Sequence, residues 1–348
     1  EGNRGVYYEI FVRSFADSDG DGIGDLNGVT EKLDYLKELG IDGIWLMPIT
    51  ASDTYHGYSV TDYMAVNPDY GTEDDLKRLL DEAHSRDMKV IMDLVINHTS
   101  INHPWFQAAK SDENSEYRDY YRWVYKTDKK DCNHLLDKSS WGDMVWHQEG
   151  DFYYYGVFGA DMPDLNYNNP DVRQAAKDAA GHWLELGLDG FRMDAAVHIY
   201  GAHEFKQQED SEAANITWWN EFAGYCESIN PDVYLVGEVW QDDKVLENYV
   251  QPFDTKFDFA IQQKILNCVQ KGMAVPGFGD SLSVAIENIQ NKYDGEDVNY
   301  LNGVFGANHD QDRIASSVNS LDKARQIAAV FMTLPGNPYI YYGEELGM

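Results

Sequence analysis

Cysteine is nearly absent. The 348-residue chain holds three, Cys132, Cys226 and Cys268, far apart and with no CxxC pair, which excludes a disulfide scaffold and a zinc ribbon. Basic residues are scarce as well: 27 Lys and Arg stand against 60 Asp and Glu, a formal charge of -33. A surface of that sign repels phosphate backbones and anionic headgroups, so neither nucleic acid nor an anionic membrane is expected as a partner. No apolar run reaches the roughly 18 residues of a membrane-spanning segment, and no secretory leader is visible. Low-complexity tracts, short-period repeats and long Gly/Ser linkers are also missing. What remains, 43% hydrophobic residues, is ample for a large layered core.

The punctuation alternates strand and helix. Residues 5–15, 42–48 and 89–97 read as apolar strands, separated by helix-period runs at 26–39 and 74–87. Residues 98–165 break the rhythm with aromatic and polar sequence and read as an inserted small domain. The alternation then resumes: a helix at 170–186 feeds DGFRMD (189–194), and a helix at 217–228 feeds DVYLVGEVW (232–240). Short apolar segments near 256–260 and 301–306, helices around 282–292 and 321–333, and NPYIYYG (337–343) complete the pattern. Eight strands buried on both faces, mostly followed by helices, predict an α/β fold, a (β/α)8 barrel with a small domain inserted after strand 3. The division expected is barrel over 1–97, insertion over 98–165 and barrel again over 166–348. No helix follows the eighth strand, which predicts a truncated barrel with an unclosed seam.

One loop crowds its acids. DSDGDGIGDLNG (17–28) places Asp17, Asp19, Asp21 and Asp25 at positions 1, 3, 5 and 9, with the backbone carbonyl of Ile23 at position 7. That is the oxygen spacing with which a calcium loop begins, and glycines at 20, 22 and 24 permit a tight wrap. Position 12 is Gly28 rather than Glu, and a strand precedes the loop, so an EF-hand proper is disfavoured. A calcium-binding turn and a solvated acidic turn both remain open on the residues alone.

Three further acids sit at strand ends: Asp194 closes DGFRMD, Glu238 closes VYLVGE, and Asp310 lies in GANHDQDR. In a barrel the carboxyl ends of different strands converge on one pocket, so the three face one another. Arg192 stands two residues before Asp194 and shares its inward side. Paired carboxylates, one ionised and one kept protonated, are what glycosidic bond cleavage requires. DLVINH (93–98) adds Asp93 on the inward side of strand three, with Asn97 and His98 at its end. Asn97 offers a carbonyl oxygen to a cation, and His98 can donate to a sugar hydroxyl. In YHGY (55–58), Tyr58 offers a flat face for a pyranose.

DLVINH at 93–98, GFRMDAAVH at 190–198, GEVW at 237–240 and NHD at 308–310, with MPDLN at 162–166 and YHGY at 55–58, together resemble the motifs of the α-amylase family of retaining α-glycoside hydrolases. The resemblance covers essentially the whole chain. It implies that Asp194 is the nucleophile, Glu238 the acid and base, and Asp310 the third acid gripping the ring to be cleaved. It implies that Arg192 fixes Asp194, that His98 and His309 bond the same sugar, that Tyr58 stacks on it and that His56 neighbours it. A calcium site between barrel and insertion would take Asn97, Asp164 and the backbone carbonyl of His198. The loop at 17–25 resembles a second calcium loop of some members, with Asp17, Asp19, Asp21, Ile23 and Asp25 as ligands and a structural role.

GFRMDAAVH keeps the Ala-Ala and terminal His of starch-cleaving members, and His198 is expected against a sugar on the leaving-group side. Val197 departs from the pattern, since many members carry Lys there. Trp240 follows the acid and can stack on a leaving-side sugar. The expected substrate is starch or a maltooligosaccharide, cut internally at α-1,4 bonds, by a secreted or cell-surface protein. The alternatives are oligo-1,6-glucosidase, maltogenic or cyclodextrin-degrading action, or glucan transglycosylation.

Overall fold

The computed structural model describes residues 2–127, 135–201, 208–241, 248–271, 282–293 and 301–348, and Cys132 lies outside them. The chain opens with β1 (Tyr7–Ile10), followed after the acidic loop by α1 (Leu26–Glu31) and α2 (Leu33–Leu39). β2 (Gly43–Leu46) leads to a hairpin, β3 (Thr50–Ser52) and β4 (Val60–Val66), which the sequence reading did not anticipate. α3 (Glu73–His84) begins at a capping box between Thr72 and Asp75 and feeds β5 (Lys89–Leu94), a start signal worth about 1 kcal/mol.

The insertion carries α4 (Pro104–Ser111) and a three-stranded antiparallel sheet of β6 (Trp123–Tyr125), β7 (Trp146–Glu149) and β8 (Phe152–Tyr155), in the order β6-β8-β7. Val124, Val145, Trp146, Tyr155 and Val157 form its own small core. The barrel resumes with α5 (Pro170–Glu185), β9 (Gly190–Met193), α6 (Gln208–Ile229) and β10 (Tyr234–Gly237). β11 (Thr255–Phe257), α7 (Phe259–Lys271), α8 (Leu282–Tyr293) and β12 (Leu301–Phe305) follow. α9 (Ile314–Val318), α10 (Leu321–Phe331) and β13 (Asn337–Tyr341) complete the order. Among the described residues no helix is long and apolar enough to cross a membrane.

The eight strands β1, β2, β5, β9, β10, β11, β12 and β13 form a closed parallel barrel. The expectation of an unclosed seam is corrected: β13 pairs directly with β1, Tyr7 opposite Tyr339 and Glu9 opposite Tyr341. Backbone hydrogen bonds between first and last strands close the sheet, and that closure needs no helix after β13.

Side chains alternate along each strand, so every second residue enters the barrel. Its lower interior is aromatic: Tyr7, Trp45, Tyr234, Phe257, Phe305 and Tyr339 pack together with Ile91 and Val236. Gly43 makes room for this layer, because a Cβ there would come within 2.4 Å of the Tyr7 ring. One step further up the same strands the interior turns ionic, with Glu9, Asp93 and Arg192 all buried. The site is built on that upper layer.

Candidate active site

Arg192 on β9 has no exposed side-chain surface and touches three carboxylates. Its Nη1 lies 2.5 Å from Asp93 Oδ1 and 2.6 Å from Asp194 Oδ1, and its Nη2 lies 3.1 Å from Glu238 Oε1. Asp93 stands on β5, Asp194 just past β9 and Glu238 just past β10, so three neighbouring strands deliver the cluster. Trp45 on β2 donates its indole N–H to Asp93 Oδ2 at 2.8 Å. Ala195 donates its amide to Glu238 Oε2 at 2.8 Å from a left-handed backbone, φ 49°. A non-glycine residue held there stores strain, of the kind found beside reacting groups.

Three acids around one guanidinium, away from bulk water, cannot all be ionised at once. Burial raises the Asp93 carboxyl against the pull of Arg192, and burial pushes Asp194 well up, again against Arg192 and helped by Glu238. Burial acts on Glu238 in the same sense, but Arg192 and the Ala195 amide outweigh it and hold that carboxyl low. Without substrate, burial thus makes the two aspartates harder to ionise, whereas Glu238 is the easiest of the three.

A second chain of contacts joins this cluster from β12. His309 Nδ1 lies 2.6 Å from Glu9 Oε1 on β1, and His309 Nε2 lies 2.7 Å from the Tyr58 hydroxyl and 3.2 Å from Asp310 Oδ2. Tyr58 in turn donates to Asp93 Oδ2 at 3.3 Å. Its ring stacks on His309 at 5.5 Å and 13°, and on His56 at 5.9 Å and 26°. Sequence reasoning missed Glu9. Its signal was its position two residues after Tyr7 on the first strand, inward by alternation.

Above these groups opens a cleft of about 870 Å³. Asp194, Glu238 and Asp310 line it, as do His56, Tyr58, His98, His198, Trp240 and His309. Arg192 is the expected site residue that lies beneath the cleft wall. His98 lines the cleft but spends its Nε2 on the Tyr58 carbonyl at 2.9 Å, so in this structure that nitrogen holds the platform residue. Burial lowers its pKa to about 4 and also lowers those of His56 and His198, leaving neutral rings at physiological pH. Trp240 is half exposed and stacks flat on Phe259, 4.3 Å between centroids. Of the insertion's aromatics, Trp146 belongs to the core, whereas Trp141 and Phe158 face the cleft and pack on His198.

The acidic loop lies elsewhere on the surface. One carboxylate oxygen from each of Asp17, Asp19 and Asp21 falls within 4.8 Å of the others. Asp17 accepts the Gly20 and Gly22 amides at 2.7 and 2.8 Å, and these contacts hold its carboxyl low. Gly20 and Gly22 take the positive φ the wrap needs, 83° and 93°. Ile23 donates its amide to Asp21 Oδ1 at 2.7 Å. Asp25 turns inward, caps α1 through Gly28 N at 2.7 Å and accepts from the amide and hydroxyl of Ser18. It therefore serves as a helix cap as well as a candidate ligand, since a carboxylate has acceptor sites beyond those bonds. At the junction with the insertion, Asn97 Oδ1 is buried without a hydrogen-bond partner. The strand-like bridge of His98 with Asp164 brings Asp164 to its side.

A profile described as alpha amylase, catalytic domain, matches residues 9–348. The chain is 44% identical over 346 residues to alpha-amylase 3 of Dictyoglomus thermophilum, covering 99% of this chain and 64% of that protein. To the 4-alpha-glucanotransferase of Thermotoga neapolitana it is 37% identical over 347 residues, covering 99% and 72%. The crystal structure of an alpha-amylase from H. orenii superposes with a TM-score of 0.87 at 45% identity, covering 99% of this chain and 70% of that one. The chain thus spans about two thirds of the length of these relatives.

Proposed function

The chain belongs to the alpha-amylase family, and from that premise we propose that it hydrolyses α-1,4-glucosidic bonds within starch and related glucans, with retention at the anomeric carbon. The observation that carries the reading is Asp194 and Glu238 held on adjacent nitrogens of Arg192 at the base of an open cleft. Two carboxyls sharing one guanidinium suit the close pairing, roughly 5 Å, of a retaining mechanism.

Asp194 attacks the anomeric carbon while Glu238 gives its proton to the departing glycosidic oxygen, so one bond forms as the other breaks. Water then attacks that carbon, Glu238 takes the water's proton, and the bond to Asp194 breaks. This order needs the proton on Glu238, whose carboxyl Arg192 and the Ala195 amide hold low without substrate. We assign its protonation to substrate entry, which strips the remaining water from Glu238 and favours its neutral form. Asp310 and His309 grip the ring hydroxyls, and Tyr58 supports its apolar face.

Calcium belongs to the proposal in two places. Asp17, Asp19, Asp21 and Asp25, with the Ile23 carbonyl, would hold one ion, and the donor set of hard oxygens fits it. Asn97, Asp164 and the His198 carbonyl would hold another, and the orphaned Asn97 oxygen fits a cation. Bound there, calcium would supply only a cross-link between segments. A polymeric substrate points to action outside the cell or at its surface.

Transglycosylation is the second reading, favoured by Val197 in place of a lysine and by the relative named 4-alpha-glucanotransferase. A product time course of the full-length protein on soluble starch, pullulan and isomaltose separates the readings. Mixed maltooligosaccharides from starch, with isomaltose untouched, are expected. Chain-length redistribution without new reducing ends would instead mean transfer, and rapid glucose from isomaltose would mean 1,6-hydrolysis.

A further inference from the structure

Glu9 has no part in the chemistry above, yet it is a buried acid on the first barrel strand, at the base of the site. It meets His309 Nδ1 at 2.6 Å, while His309 Nε2 faces both the Tyr58 oxygen at 2.7 Å and Asp310 Oδ2 at 3.2 Å. An ionised carboxylate only accepts hydrogen bonds. Burial raises the Glu9 carboxyl against the pull of His309; with both acids ionised, the ring between them carries a proton on each nitrogen. The Tyr58 oxygen then accepts from Nε2–H, and the tyrosine's own proton is left for Asp93 Oδ2.

We propose that Glu9 is a positioning residue: its carboxylate fixes His309 as an imidazolium and so sets the direction of each hydrogen bond from His309 through Tyr58 to the Arg192 cluster. The proposal deepens the glycosidase reading and rests on it for its catalytic consequence.

The surroundings of His309 bear this out element by element. Glu9 faces it from β1, Tyr58 from the β3–β4 loop, Asp93 from β5, Arg192 from β9 and Asp310 from its own loop, with the Trp45 ring of β2 edge-on at 5.8 Å. Burial works to discharge the ring and Arg192 joins it, but Glu9 and Asp310 prevail and raise its pKa to about 9. A bare cation here would oppose the positive charge that develops on the sugar in the transition state. Glu9 behind the ring cancels that charge, so the site gains an oriented donor without a net cation.

Glu9→Gln keeps the shape but removes the charge, and its amide can accept from Nδ1–H or donate to Nδ1. The ring then becomes neutral, and its single remaining proton no longer fixes the direction of the bonds through Tyr58 to Asp93. The test is nitrogen NMR of the full-length protein labelled at histidine, paired with pH profiles of kcat and KM on a maltooligosaccharide. Wild-type His309 is expected doubly protonated at about pH 7.5 and the E9Q ring neutral. The alkaline limb of kcat/KM in E9Q is expected to move down by about one pH unit or more, carried by KM. A neutral wild-type His309, or an E9Q protein with unchanged titration and profile, would overturn the proposal. The wild-type measurement stands even if E9Q fails to fold. Absence of glucan cleavage by the wild type would count against the glycosidase reading alone, because the titration is read without turnover.

Discussion

The chain crowds carboxylates twice and manages their repulsion in opposite ways. In the loop around Asp17, Asp19 and Asp21 the acids are exposed, and backbone amides and water answer their charge. At the base of the cleft Asp93, Asp194 and Glu238 are buried, and one guanidinium answers all three. The loop can keep every acid ionised and so offers hard oxygens to a cation. The barrel cannot, and so retains a proton that can be given to a substrate. Under the proposed function, carboxylates would serve as a cation staple in one setting and as an acid–nucleophile pair in the other, because burial differs.

Substitutions can break that comparison, and the largest effect is expected in the barrel. Asp194→Asn should lower turnover by about 10³-fold or more while oligosaccharide binding persists; near-normal turnover would remove Asp194 from the nucleophile's role. Arg192→Met strips the only countercharge that the three buried acids contact among the described residues, and should cost roughly 3–5 kcal/mol of stability by denaturant unfolding. An unchanged midpoint would mean the acids are neutral without it.

A pH scan sharpens the contrast further. His309 carries a folded pKa of about 9, above its unfolded value near 6.5, so its contribution is full below about pH 6.5 and is lost as pH rises toward 9. His98 is depressed to about 4, so its contribution is full above about pH 6.5 and is lost as pH falls toward 4. Thermal midpoints should therefore peak between these windows, and a flat profile would count against both buried rings. The smallest effect belongs to the loop. Removing calcium with a chelator should lower the midpoint by about 2–4 °C, and Asp19→Asn should shrink that difference. An identical midpoint after verified metal removal would leave the loop a solvated turn.

Much of this architecture was legible in the sequence, since apolar strands alternating with amphipathic helices allow few folds. The helix read at 170–186 is α5 (Pro170–Glu185), with Asn169 as its cap and Pro170 as its first residue. α7 was not read, although Asp258 caps it by accepting the Ile261 amide at 2.8 Å; the apolar residues at its start merged with β11 into one short run. The hairpin β3–β4 was hidden because its strands are short and irregular in register. Seam closure escaped because it depends on pairing across more than 300 residues, which no local pattern encodes.

In the site, Asp194, Glu238, Asp310 and Arg192 followed from strand-end placement and alternation. The capping role of Asp25 was hidden because spacing alone does not show what else a candidate ligand bonds. The contact between Glu9 and His309 needed coordinates, since the two lie 300 positions apart.

The central claim is that Asp194 is the group that bonds to the sugar. Incubation of the full-length protein with an activated fluorosugar of the α-glucosyl type, followed by peptide mass spectrometry, tests it directly. The account predicts one covalent adduct, carried by the peptide containing Asp194. Labelling at Glu238 or Asp310 instead, or inactivation without any adduct, would contradict it.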